Sequence, residues 1–171
     1  MKKILNETQQ LKISKIKLVI SDVDGVLTDG GLYYSNEGMT LKKFNVKDGM
    51  GVFLLRENGI KNAIVTTSTS ELMKKRAEAL SIEHYYSGVW DKENKLLEIC
   101  KIENMQPVNI AFIGDDVNDL SIIKLAGFTA APVDAIDKVK EAVDIILSKK
   151  GGDGVFREFA ELILSVQKLN S

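Results

Sequence analysis

Two clusters of aspartates stand directly behind hydrophobic runs of the sequence. Asp22 and Asp24 lie in LVISDVDGVLTDG, and Asp115, Asp116 and Asp119 lie in IAFIGDDVND. Crowded carboxylates repel one another unless a proton or a cation neutralises them. Oxygen ligands without a neighbouring histidine or cysteine suit Mg²⁺, which also binds the phosphate oxygens of substrates. One Asp-Gly pair is more often a turn or a helix cap, but the two clusters together predict a magnesium site.

The surrounding pattern is typical of a parallel α/β sheet. Short β-branched runs that end in turn residues alternate with segments of helical period. Ligands of such a sheet bind beyond the carboxyl ends of the strands, where we expect both aspartate clusters. Strands are predicted at 17–21, 62–66, 109–113, 128–131 and, at an edge, 143–147. Helices are predicted at 49–58, 70–80, 92–103, 116–125, 135–141 and 154–168.

One segment interrupts this alternation. Residues 28–49, TDGGLYYSNEGMTLKKFNVKDG, contain two short β-prone runs around the turn signal SNEG. They predict a β-hairpin inserted after the first strand, here called the flap (about residues 28–46). Further along the chain, the glycines of KKGGDG, residues 149–154, predict a flexible hinge before the last helix.

Composition narrows the class of protein. The 171 residues fit one domain, 1–171, and 23 basic against 24 acidic residues leave no basic field for nucleic acid or an anionic membrane. Cys100 is the only cysteine, so one chain builds neither a disulfide nor a cysteine zinc site, which favours a reducing compartment. No apolar run has the length that spans a bilayer. We therefore expect a cytoplasmic protein with no nucleic-acid or membrane partner.

Four motifs, in order along the chain, resemble those of the haloacid dehalogenase phosphatase superfamily. DVDGV resembles the first motif, Thr66 matches the hydroxyl of the second, Lys92 matches the lysine of the third, and GDDVND resembles the acidic loop of the fourth. The resemblance implies a Rossmann-like three-layer α/β sandwich with a parallel central sheet. It also implies a phosphatase that holds Mg²⁺ between Asp22, Asp115 and the main-chain carbonyl of Asp24.

The resemblance and the chemistry of these side chains together assign the catalytic roles. Asp22 is expected to attack phosphorus in line and form an aspartyl-phosphate. Asp24 is expected to protonate the leaving oxygen and then to accept a proton from water, as general acid and base in turn. Lys92 would supply fixed positive charge to Asp22 and the phosphoryl oxygens, and Thr66 would donate a hydrogen bond to the phosphoryl group.

The two other aspartates of the acidic loop are expected behind these reacting groups. Asp119 is expected to orient Lys92 or a metal-bound water. Asp116 remains open between a metal ligand, a group that supports the ligands, and the N-cap of the next helix. Taken singly, Lys92 is more often a surface lysine and Thr66 a strand-end hydroxyl, so only their place in the series supports these roles.

The segment from the first motif to residue 51 narrows the resemblance to the capless sugar-acid phosphatases, typified by the 3-deoxy-D-manno-octulosonate 8-phosphate phosphatases. There a β-hairpin replaces the large cap domain, and the resemblance spans about residues 16–164. It implies a homotetramer assembled by the flaps, in which a neighbour's flap and C-terminal tail (about 149–171) help to cover each site. Arg157 in that tail is a candidate for a substrate carboxylate, and otherwise an exposed helix residue. The apolar flap residues that fit a subunit interface are Leu32, Tyr33, Met39, Leu41 and Phe44.

One position departs from that branch. The octulosonate phosphatases usually have Gly-Arg after the second-motif threonine, whereas Thr67 and Ser68 follow Thr66 here. Ser68 leaves room for a bulkier substrate, such as a deaminated or N-acylated neuraminate 9-phosphate, instead of an octulosonate 8-phosphate. Arg76 is a candidate for the missing charge, and otherwise a solvated helix residue. Two further alternatives are a non-catalytic oligomerisation module, which the retained motif residues disfavour, and a phosphatase or phosphotransferase of broad specificity.

Overall fold

The computed structural model describes residues 5–168, which form eight strands and seven α-helices. The strands are β1 (Leu18–Ser21), β2 (Tyr33–Ser35), β3 (Gly38–Leu41), β4 (Lys61–Val65), β5 (His84–Tyr86), β6 (Ile110–Ile113), β7 (Phe128–Ala131) and β8 (Ile145–Ile146). The helices are α1 (Glu7–Ser14), α2 (Val46–Glu57), α3 (Glu71–Ala79), α4 (Lys92–Glu103), α5 (Leu120–Leu125), α6 (Asp137–Ala142) and α7 (Val155–Gln167). Short 3₁₀ helices lie at Pro107–Asn109 and Val117–Asp119. The outermost residues of the predicted domain, 1–4 and 169–171, lie outside the described residues.

Six strands form one parallel sheet in the order β5-β4-β1-β6-β7-β8. Strand β1 lies in the middle, between β4 and β6, with Ser21 paired to Ile64 on one side and to Ile113 on the other. Because the strands are parallel, their carboxyl ends meet at one edge of the sheet. The chain segments that follow β1, β4 and β6 therefore converge there.

Helices cover both faces of the sheet and make a three-layer sandwich. In β1, Val19 points into a core shared with α1, α2, α3 and α7, whereas Leu18 and Ile20 point into a core shared with α4, α5 and α6. All four β1 residues are buried, as in a central strand covered on both faces. The predicted fold class, a parallel α/β sandwich, is confirmed.

The predicted strands and helices are present, with differences at their ends. The prediction omitted two elements of the structure: β5, which is only three residues long, and α1, which precedes the first motif. The predicted helix 116–125 is split, because Asp116 caps a 3₁₀ turn before α5 begins at Leu120. The edge strand is reduced to two residues, Ile145–Ile146.

The flap is an antiparallel hairpin of β2 and β3, as predicted. Its turn closes at Gly38, whose φ of +115° favours glycine. An isolated bridge between Thr28 and Phe44 ties the base of the hairpin together. Within residues 5–168, the structure contains no helix with the length and apolar character that crossing a bilayer requires.

Candidate active site

The two aspartate clusters meet at the carboxyl ends of β1 and β6. The main-chain N–H of Asp22 donates to the carbonyl of Ile113 over 3.0 Å, which fixes the first motif against the fourth. Between them lies a cavity of about 380 Å³. Ten residues line it: Asp22, Asp24, Gly25, Asp29, Gly30, Thr67, Asp115, Asp116, Asn118 and Asp134. The cavity is therefore strongly acidic, as the sequence predicts for a cation site.

A completely buried lysine reaches the centre of this cluster. Lys92 is the first residue of α4, whose N-terminus is capped by the side chain of Asp91. Its Nζ lies 2.8 Å from Oδ2 of Asp22 and 2.5 Å from Oδ1 of Asp119. The other carboxylate oxygen of Asp22 accepts from the N–H of Val23 over 2.6 Å. The predicted contact between Lys92 and Asp22 is thus present, and both groups are held in fixed orientations.

Asp119 connects the lysine to the acidic loop. Its Oδ1 accepts from Lys92, and its Oδ2 accepts from the main-chain N–H groups of Asp115 (2.9 Å) and Asp116 (3.4 Å). The carboxylate is fully buried and has protein donors on both oxygens. Of the two groups that Asp119 was expected to orient, Lys92 or a metal-bound water, Lys92 is in direct contact with it, and the role itself stays a prediction.

Burial and mutual repulsion raise the pKa values of two carboxyl groups of the cavity, Asp22 and Asp115. Burial, followed by repulsion from Asp22, Asp119 and Asp116, raises the pKa of Asp115 to about 8. Burial and the charge of Asp119 raise the pKa of Asp22 to about 6, although Lys92 acts in the opposite direction. Oxygens of Asp22, Asp115 and Asp119 all lie within 4.8 Å of one another. This arrangement suits a divalent cation, whose charge would keep these groups ionised.

Asp24 is held by residues of the loop and the flap. Lys42 Nζ donates to Oδ1 (2.7 Å) and to Oδ2 (2.6 Å), and the hydroxyl of Thr28 donates to Oδ1 over 3.1 Å. Lys42 also lies 3.5 Å from Oγ of Ser68. Sequence reasoning missed Lys42, because the pair Lys42-Lys43 looks like any exposed lysine pair. No local signal would have found it, because Thr40 and Leu41 are both exposed and the side chains do not alternate into Lys42.

The second-motif loop follows β4, beside the first motif. Thr66 is buried, and its Oγ1 accepts from the N–H of Ser68 over 3.1 Å. The cavity is lined by the neighbouring Thr67 and not by Thr66. Asp116 lines it too, and its Oδ1 accepts from the N–H of Val117 over 2.6 Å, so it acts as a helix cap.

Two predicted substrate-binding arginines point elsewhere within this chain. The guanidinium of Arg76 lies 5.6 Å from the centre of the Phe44 ring, at the base of the flap. Arg157 pairs with Glu161 through Nε (2.8 Å) and a terminal nitrogen (2.7 Å). Neither arginine lines the cavity of its own chain.

The glycine-rich segment before α7 (residues 149–154) packs on the first-motif loop that follows β1, here called the catalytic loop, instead of forming a flexible hinge. The N–H of Gly152 donates to the carbonyl of Val26 over 2.9 Å, and that of Gly151 donates to Asp134 over 3.0 Å. A Cβ on Gly151 would lie 2.0 Å from the carbonyl oxygen of Gly25. Only glycine permits this approach, so the prediction of flexibility from the glycines was wrong.

The sequence profile of haloacid dehalogenase-like hydrolases matches residues 65–159, more than half of the chain. The chain belongs to the haloacid dehalogenase-like hydrolases. The matched residues include the second, third and fourth motifs, and the first motif lies in the region shared with the relatives described next. The expected enzyme class, a phosphatase of this family, is confirmed.

Family members of known structure match almost the whole chain. The 3-deoxy-D-manno-octulosonate 8-phosphate phosphatase of Haemophilus influenzae is 39% identical over 95% of this chain and 90% of its own length. The cobalt-bound structure of that phosphatase superposes with a TM-score of 0.89, covering 92% of each chain. The phosphatase from Moraxella catarrhalis, solved with a magnesium ion, a phosphate ion and a KDO molecule, is 38% identical, with a TM-score of 0.92 over 96% of this chain and 94% of its own.

Proposed function

We propose that this hydrolase removes phosphate from a 2-keto-3-deoxy sugar acid phosphate, with 3-deoxy-D-manno-octulosonate 8-phosphate as the leading candidate. The observation that carries the proposal is the buried Lys92, which lies between Asp119 and Asp22, a carboxylate that lines the acidic cavity. The substrate named for the relatives, at 35–39% identity over most of this chain, supports the choice of sugar acid.

The geometry suits Asp22 as the nucleophile. Its carboxylate is fixed by the N–H of Val23 and by Lys92, so it needs little reorganisation to attack phosphorus in line. The new O–P bond gives an aspartyl-phosphate as the bond from phosphorus to the sugar oxygen breaks. Lys92 stabilises the negative charge on the phosphoryl oxygens, and Asp119 keeps that lysine in place.

Asp24 suits the proton transfers of both steps. It lines the cavity two residues after Asp22, and its side chain is 36% exposed, so a leaving group and a water can reach it. In the first step its proton goes to the sugar oxygen. In the second step it takes a proton from the water that attacks phosphorus, and phosphate and the free Asp22 carboxylate result. The acid form of Asp24 is thereby regenerated.

The residues present fit Mg²⁺, because their donor set is made of hard oxygens and is short of positive charge. Carboxylate oxygens of Asp22 and Asp115 and the main-chain carbonyl of Asp24 would hold the ion. Bound there, it would neutralise the phosphate and allow a carboxylate to approach an anionic ester. Asp119 is a poorer ligand, since Lys92 and two main-chain N–H groups already occupy its oxygens.

The flap supports a homotetramer in which neighbours complete each site. Its apolar residues Leu32, Tyr33, Tyr34 and Leu41 are 50–69% exposed in the single chain, and several large exposed apolar side chains on one short hairpin are typical of an interface. Arg76 and Arg157 do not line the cavity of their own chain, which favours a role for the tail residue Arg157 in a neighbour's site. A cytoplasmic location also stays a prediction.

The test is phosphate release with Mg²⁺ from three candidate substrates. These are 3-deoxy-D-manno-octulosonate 8-phosphate and the deaminated and N-acetylated neuraminate 9-phosphates, with Asp22→Asn as the blank. We expect the eight-carbon substrate to give the highest kcat/KM. A preference for a nine-carbon substrate would indicate that the substrate specificity has changed, and would attribute the change to Ser68, which lacks the charge of the usual arginine. No turnover of any phosphate by the wild type would contradict the proposal.

A further inference from the structure

A lysine of the flap contacts Asp24, which lines the active-site cavity, and has no role in the mechanism described so far. The side chain of Lys42 is only 1% exposed, although it comes directly after the exposed end of β3. Its next neighbour, Lys43, is 63% exposed and pairs with Asp29 near the surface. Burial of an ammonium group is costly unless it is paired and hydrogen-bonded. The burial of Lys42 therefore points to a specific partner.

That partner is the general acid and base. Lys42 Nζ lies within 2.7 Å of both oxygens of Asp24, and its next polar neighbour, Oγ of Ser68, is 3.5 Å away. Thr28 also donates to Oδ1 of Asp24. The carboxylate is thus held at Oδ1 by Lys42 and Thr28 and at Oδ2 by Lys42, so its orientation depends on a residue of the flap.

We propose that Lys42 is the residue that positions Asp24 for both proton transfers, so that acid and base catalysis require the flap to be in place. This inference rests on the proposed function, since it assigns a role in the same reaction. Lys42 is a positioning residue: it acts through Asp24 and does not itself exchange a proton with the substrate. The flap then has a chemical task in its own chain, in addition to any contact with a neighbouring subunit.

The two steps of the reaction give this role a distinctive kinetic signature. With p-nitrophenyl phosphate, the leaving nitrophenolate is stable as an anion, so the first step does not need the proton of Asp24. Hydrolysis of the aspartyl-phosphate still needs Asp24 as a base. A variant with a misplaced Asp24 should therefore release nitrophenolate quickly once and then stall. With a sugar phosphate, whose alkoxide needs a proton, the first step should be slow as well.

The experiment compares Lys42→Met with wild type by stopped-flow release of nitrophenolate and by steady-state phosphate release from the sugar acid phosphate, both at saturating Mg²⁺. For Lys42→Met we expect a burst of about one nitrophenolate per active site and a steady-state rate about 100-fold lower, at the low end of what general acid–base catalysis contributes. Lys42→Arg, which keeps the cation, should recover much of the rate. Lys43→Met is the matched control and should behave as wild type.

Other outcomes would overturn the inference. A loss without a burst, or a rise in KM with unchanged kcat, would show that Lys42 binds phosphate or substrate instead of positioning Asp24. Unchanged rates would show that its contact with Asp24 has no kinetic effect. If Lys42→Met fails to fold, Lys42→Gln takes its place in both assays and should show the same burst and slow steady state, whereas Lys42→Arg should recover much of the rate. Failure of wild type itself to release phosphate would instead refute the proposed function.

Discussion

The buried contact of Lys92 with two carboxylates makes a strong prediction about stability. Replacing it by methionine keeps the apolar stem but leaves Asp22 and Asp119 buried without their cation. Removal of one partner of a buried ion pair typically costs about 3–5 kcal/mol of unfolding free energy. For a protein of this size, each kcal/mol lowers Tm by roughly 2–4 °C, so Lys92→Met should melt roughly 6–20 °C below wild type.

The assays are thermal unfolding and urea unfolding, both followed by far-UV circular dichroism, in EDTA at pH 8. Lys101→Met, on an exposed position near the end of the same helix, is the control and should change stability by less than about 0.5 kcal/mol. Asp119→Asn removes the second charge, so the double variant Lys92→Met/Asp119→Asn should lose less than the sum of the single losses. Additive losses, or a Lys92→Met variant as stable as wild type, would refute the ion-pair reasoning.

Three further predictions concern the metal, the glycine contact and the flap. The folded-state pKa of Asp115 (about 8) lies above the ordinary value of 3.8, so the metal-free protein should lose stability as pH rises from about 4 to 8. Mg²⁺ should reduce this loss. A Tm that Mg²⁺ does not change at pH 8 would contradict this prediction. Gly151→Ala should lower the unfolding free energy by about 1–3 kcal/mol and reduce turnover, because its Cβ meets a main-chain carbonyl oxygen. The control Gly31→Ala, whose Cβ meets only a side chain, should lower it less. Equal effects of the two variants would contradict this prediction. Leu41→Ser in the flap should lower the oligomer mass measured by light scattering, whereas the similarly exposed Leu11→Ser on α1 should not. An unchanged mass for both variants would show that the flap does not form the subunit interface.

The positions of the reacting groups followed from the sequence because they depend on topology. A parallel sheet brings the ends of its strands to one edge, so aspartates behind two hydrophobic runs had to converge. The contact of Lys92 with Asp22 came from the order of motifs and needed no knowledge of packing. The flap was also predictable, since its turn residues and β-prone runs are local signals.

Features that depend on tertiary packing did not follow from the sequence. The glycines at 151 and 152 have the composition of a hinge, and only their contact with the catalytic loop shows that they pack tightly. Lys42 has the same local sequence signal as Lys43, and only the path of the flap over Asp24 distinguishes them. The chemical type of a residue was therefore easier to predict than the partner it meets across the fold.

The central claim is that Asp22 carries the phosphoryl group during turnover. The direct measurement is to quench the enzyme in acid during steady-state hydrolysis with Mg²⁺, reduce it with borohydride and map its peptides by mass spectrometry. An aspartyl-phosphate at Asp22 predicts homoserine at position 22, in an amount that rises with substrate and is absent without it. Active turnover with position 22 unmodified, or with the label on another aspartate, would contradict the account.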